Sequence, residues 1–161
     1  MRRSVASFLR LWLTDRRGDM VWSAVIMAFV LVPLASLTVD VPRYFILKAR
    51  LQAAADAASQ AAAQVVDVGR FQESGDVALQ DDGDRSYRDE ARETFAVAAQ
   101  AMGLGGYAAN FAAIGNDGGR REVTVRAEGQ THLFFGLSPR VTVRVAATSK
   151  YRMVTAGWDA P

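Results

Sequence analysis

The sequence predicts an α+β chain: a single N-terminal transmembrane helix continuing into a long amphipathic helix, a second helix, and a three-stranded antiparallel sheet. Three patterns carry that reading. Residues Met20 to Val39 hold no charged side chain. Apolar positions then recur at steps of three and four through an alanine-rich stretch. Further on, the period changes to two, the repeat of strands with one buried face.

The uncharged run, "MVWSAVIMAFVLVPLASLTV" at 20–39, rises about 30 Å as a helix, the thickness of a bilayer's hydrocarbon core. Pro33 interrupts it, which a membrane helix tolerates. A buried core helix is the alternative, although such helices are usually shorter. In residues 1–19, Arg2, Arg3, Arg10, Arg16 and Arg17 stand against Asp15 and Asp19, a net of +3. The whole chain carries +2, so the remainder sums to −1. The positive-inside rule therefore predicts a single-pass protein of the inner (plasma) membrane, with its basic tail cytoplasmic and its C-terminal region extracytoplasmic. The main region lacks net basic charge, so nucleic acid is not an expected partner. A cleaved secretory leader is the competing reading. The apolar run exceeds the usual h-region of roughly 7–15 residues, however, and no clear A-x-A site closes it. Arg16-Arg17 alone is weak as a twin-arginine signal. The chain has no cysteine, which excludes disulfides, thiol catalysis and thiolate metal sites.

Residues 40–66 form the second region. Tyr44, Leu47, Leu51, Ala54, Ala58, Ala61 and Val65 make one apolar stripe, with Lys48, Gln52, Asp56, Gln60 and Gln64 on another face. Asp40 and Pro42 mark the membrane interface, a place for a kink. Small residues let backbones approach closely. The alanine face thus suits either another helix or the chain's own sheet.

Residues 67–85 read as an acidic linker with Gly69, Gly75, Gly83 and "DDGD" at Asp81–Asp84. The spacing does not match an EF-hand loop, and a solvated loop is expected. Residues 86–161 hold the extracytoplasmic α+β region. Ser86-x-x-Asp89 resembles a capping box opening a helix to Met102, and Gly103 offers a stop. Tyr87, Ala91, Phe95, Ala98 and Met102 form its apolar face. "NFAAI" supplies a first strand. In "EVTVRAEG" Val123, Val125 and Ala127 alternate with Thr124, Arg126 and Glu128. In "VTVRVAATSKY" Val141, Val143, Val145 and Ala147 alternate with Thr142, Arg144 and Thr148. "GNDGG" at Gly115–Gly119 and "GLSPR" at Gly136–Arg140 are turn chemistry.

No catalytic or metal-binding set stands out, and no cofactor is expected. His132 is the lone histidine, beside Leu133, Phe134 and Phe135, where a structural or half-exposed role is expected. G-x-S-x-G, H-E-x-x-H and phosphate-binding glycine loops are absent from the sequence.

A basic tail ending in "RRG", an uncharged span and then "VDVPRYFILKARLQAAADAASQAAA" resembles the N-terminal segment of TadE/TadG-like proteins of Tad (Flp-type) pilus assembly. The likeness covers roughly residues 16–63. Its matching positions are Asp40, Arg43, Tyr44, Leu51, Gln52, Ala54, Asp56, Ala57 and Ala58. The stretch from Val123 to Tyr151 resembles, more loosely, the family's strand–Phe-Gly–strand hairpin. Pro42 stands where the family commonly has glycine, and Ser59-Gln60 replace an alanine-leucine pair. Ser23 occupies the place of the glutamate that pilin-like members carry five residues past the cleavage glycine. The tail is therefore expected to be retained. The metal-site motif and length of the von Willebrand A domain of longer members are missing.

The resemblance implies a membrane-anchored structural or assembly component, not an enzyme. It would act by contacts with the membrane and with other pilus-assembly proteins or pilus subunits. An extracytoplasmic membrane-anchored enzyme or ligand-binding module, or an exported protein with a cleaved leader, are the alternatives.

Overall fold

A computed structural model of the chain describes residues 16–83, 85–132 and 140–153, with residues 16–20 as backbone alone. The first element is a 49-residue helix, α1 (Arg16–Gln64), assigned without a break through Pro33 and Pro42. The compact units of the chain divide at that second proline, Met1–Pro42 and Arg43–Pro161.

In the second unit, α1 is followed by a short helix α2 (Val68–Ser74), a helix α3 (Tyr87–Ala101) and a 3-10 turn at Leu104–Tyr107. The strands are β1 (Asn110–Asp117), β2 (Glu122–Thr131) and β3 (Val141–Lys150). They form an antiparallel meander in the order β1-β2-β3. The expected α+β class and three-stranded sheet are what the structure shows.

The sheet's period-two pattern becomes burial directly. Val123, Val125, Ala127, Val143, Val145 and Ala147 are all buried in one core. The opposite face carries cross-strand polar pairs, with Thr124 Oγ1 lying 2.9 Å from Thr148 Oγ1 and Arg144 facing Glu128 at 3.4 Å. Such pairs fix register on a solvated face while contributing little stability each.

Against the buried face lies the alanine-rich part of α1. Leu47, Leu51, Ala54, Ala55, Ala58 and Ala62 are fully buried in the same core. Three contacts fix its course. Gly129 of β2 leaves room for Leu47 and Leu51. The Gln52 amide donates to the Ala146 carbonyl at 3.1 Å, and the Ser59 and Ser149 hydroxyls meet at 2.8 Å. From Leu47 to Ser59, α1 rises about 18 Å. The strand from Gly129 to Val123, which pairs with Ser149, spans about 20 Å. The helix therefore runs closely along the strands, and small side chains on both surfaces let it lie flat. The buried stripe departs from the expected one at its end, where Ala62 is fully buried and Ala61 only half so. A straight helix advances 3.6 residues per turn, so a seam stepped in threes and fours drifts round it.

Residues 67–83, read from sequence as linker, are ordered. Asp67 caps α2 by accepting from the Arg70 amide at 2.9 Å, and Gly75 closes it in the left-handed region at φ 72°. The segment is folded back on itself by Asp67 N–H to the Ala78 carbonyl (2.9 Å) and tied to the residue just past α1 by Gln80 N–H to the Val65 carbonyl (3.0 Å). Val77 and Leu79 are buried in the core. Glycines and aspartates had signalled a loop. The two apolar side chains between them give it a reason to pack.

The α3 cap is where the sequence placed it. The Ser86 hydroxyl accepts from the Arg88 amide at 3.2 Å, while the Asp89 side chain pairs with Arg92. Tyr87, Ala91 and Phe95 are buried, and Phe95 meets Phe111 of β1 edge-to-face at 5.8 Å. The first hairpin turn lies later than "GNDGG" suggested. Gly115, Asn116 and Asp117 are paired strand residues, and the turn occupies 118–121. Asp117 sets it, accepting from the amides of Gly119 (3.1 Å) and Arg120 (3.2 Å). The "GLSPR" turn and Leu133–Phe135 fall outside the described residues apart from Arg140; before and after them, Thr131 pairs with Val141.

Candidate membrane anchor and interaction surface

The helix is long and apolar enough to cross a membrane. Its side chains from Val21 to Val39 are exposed apart from a half-buried Ser36. Phe29 is 79% exposed and Ile26 57%. A core helix would bury such residues. One that is apolar all round and exposed suits lipid.

At the end of this run, Asp40 is only 8% exposed, and the Ser36 hydroxyl donates to its carboxylate at 2.9 Å. The pairing is i,i+4, so one helical turn satisfies the first charge after the span.

The remaining family-matched residues separate by exposure. Leu51, Ala54 and Ala58 lie fully buried in the chain's own core. Tyr44 is half-buried against that core and meets Phe45 edge-to-face at 5.6 Å. Gln52 is half-buried, its amide shared between Asp56 (3.0 Å) and the Ala146 carbonyl. Arg43 is exposed. What the family resemblance grouped as one set is thus mainly the device that seats α1 on the sheet. The signal that separates them is alternation on the strands: a valine-alanine face that must be covered, with one alanine-faced helix available.

Sequence reasoning did not single out Phe45 and Ile46, which are 60% and 48% exposed just beyond the span. Their large apolar side chains between Arg43 and Lys48 were the available signal.

The concave features of the second unit are open. A groove of about 760 Å³ lies between the end of α3, the 3-10 turn and the start of β1, with Phe95, Leu104 and Phe111 among its lining and Arg92 and Gln100 at its polar side. Another, of about 590 Å³, includes Gln60, Gln64, Lys150 and Arg152. His132 is exposed. Asp81 of the acidic cluster pairs with Arg88 at 3.0 Å. Among the described residues no group of three or more His, Asp or Glu side chains is placed to hold a metal. Tyr151, 2% exposed, donates to Asn116 Oδ1 at 3.0 Å, and its burial pushes the phenol above its ordinary pKa.

No curated protein and no solved structure matches the chain. A family model does: residues 20–70, which carry the exposed apolar run and the alanine-rich run of α1, match the family described as putative Flp pilus-assembly TadE/G-like.

Proposed function

We propose that this chain is a membrane-anchored structural component of a Tad (Flp-type) pilus assembly apparatus, acting through protein–protein contacts. The observation that carries the reading is the overlap of two findings. The family match spans 20–70, and the same stretch holds a helix long and apolar enough to cross a membrane. The basic tail orients that anchor, with the tail cytoplasmic and the sheet-bearing unit outside the inner membrane. On this reading residues 40–66 both leave the membrane and hold the sheet. Contacts with other pilus-assembly proteins or subunits then fall to the span and the exposed surface of the second unit. Leu51, Ala54 and Ala58 hold the fold beneath it.

The test is deletion of the gene followed by imaging of surface pili, with affinity capture of the tagged full chain from solubilised membranes. Loss of pili, restored by the intact gene, together with recovery of other pilus-assembly proteins, is expected. Normal piliation in the deletion strain would reject the reading.

A further inference from the structure

We infer that the strip Arg43–Phe45–Ile46–Lys48 of α1 is a lipid-headgroup contact with the outer surface of an anionic bilayer. It rests on the reading of Met20–Val39 as a membrane span and goes beyond it, because the uncharged run ends before this strip begins.

Two observations meet here. Phe45 and Ile46 are large, apolar and about half exposed or more, in a unit whose other large apolar side chains are mostly buried. Each has an exposed cation three residues away on the helix surface: Lys48 beside Phe45, and Arg43 beside Ile46. Residues at i,i+3 are surface neighbours, so two apolar–cationic pairs are formed. Such pairs place a ring or alkyl group among acyl-chain ends while the cation reaches phosphate.

A lipid surface is favoured over a protein groove: the strip follows the uncharged run closely in the sequence, and its exposed charges, Arg43 and Lys48, are both positive.

The sequence has no cysteine, so single cysteines report unambiguously. Full-length Phe29→Cys, Phe45→Cys, Ile46→Cys and Ala53→Cys would be spin-labelled in phosphatidylcholine/phosphatidylglycerol vesicles. Collision with oxygen and with a water-soluble nickel chelate would then be compared. All four positions are exposed, so the labels need not disturb the core. Labels at 45 and 46 should lose nickel collisions relative to 53, while 29 reads as hydrocarbon. Lys48→Gln should shift the docked-to-undocked ratio by about fivefold, the share of one cation at an anionic surface. Labels at 45 and 46 as nickel-accessible as 53, with 29 still in hydrocarbon, would overturn this inference alone. This holds even if they are shielded when pilus proteins are added, which would make the strip a protein contact. An aqueous label at 29 would overturn the anchor and the inference together.

Discussion

At the residue scale, Gly129 shows how one missing side chain positions a helix. A β-carbon there would sit 3.5 Å from Leu47 Cδ1, 3.6 Å from Leu51 Cδ2 and 3.6 Å from the Tyr107 carbonyl, ordinary contact distances. One methyl group fits, and nothing larger does without displacing α1. Gly129→Ala should therefore leave stability within about 1 kcal/mol of the parent, since lost unfolded-state freedom offsets any tightening. Gly129→Leu should cost about 1–3 kcal/mol by overpacking. Denaturant midpoints of the detergent-solubilised variants separate the two. Tyr151 makes a different point. Its burial raises the phenol pKa, so the folded state holds the proton more firmly than the unfolded chain. Its contribution is fully present below the unfolded value of about 10 and is lost as pH rises through the folded one. Tyr151→Phe removes the bond to Asn116 and should cost about 0.5–1.5 kcal/mol near neutrality. The difference between parent and variant should narrow above pH 10. A gap that stays constant in alkaline unfolding curves would contradict this assignment.

At the scale of the element, α1 joins an exposed apolar run to a surface buried in the core, and composition marks the change. Bulky side chains cover the part long and apolar enough to cross a membrane. Alanines cover the part that lies on the sheet, where backbone proximity matters more than area. Ala58 is fully buried, whereas Gln60 on the other side is exposed. Ala58→Leu should lower stability by about 1–3 kcal/mol, and Gln60→Leu by less than about 0.5 kcal/mol. Equal effects in thermal melts would mean that the helix does not rest on the sheet as described. The short helix α2 illustrates the opposite case. Its seven residues have little propensity of their own, and it forms between a capping aspartate and a closing glycine because its flanks are tied to each other and to the residue just past α1.

For the whole molecule, the anchor and the folded unit carry separate predictions. A reporter fused after Pro161 should be active only outside the cytoplasm, and protease added to spheroplasts should digest the sheet-bearing unit. Protection in intact spheroplasts, with cleavage only after lysis, would reverse the orientation drawn from the charged tail.

The sequence by itself determined the elements whose signals are local and periodic: an uncharged run long enough for a bilayer, a capped α3, and strands with a strict two-residue repeat. It also carried the family resemblance, since that lies in fixed spacings along a single stretch, Asp40 to Ala58. Only the tertiary structure decided what the alanine face touches. A stripe of small residues fits a partner helix or a sheet equally well, and the choice was made by the Val-Ala surface of β2 and β3, far along the chain, which needed covering. The tertiary fold likewise ordered residues 67–83, because Val77 and Leu79 gain burial only once α1 and the sheet are in place. It moved the first hairpin turn past Asp117, because ladder pairing outweighs glycine's local freedom. And it left Phe45 and Ile46 outside the core, since a helix lying along a sheet buries one side, and these two lie on the other.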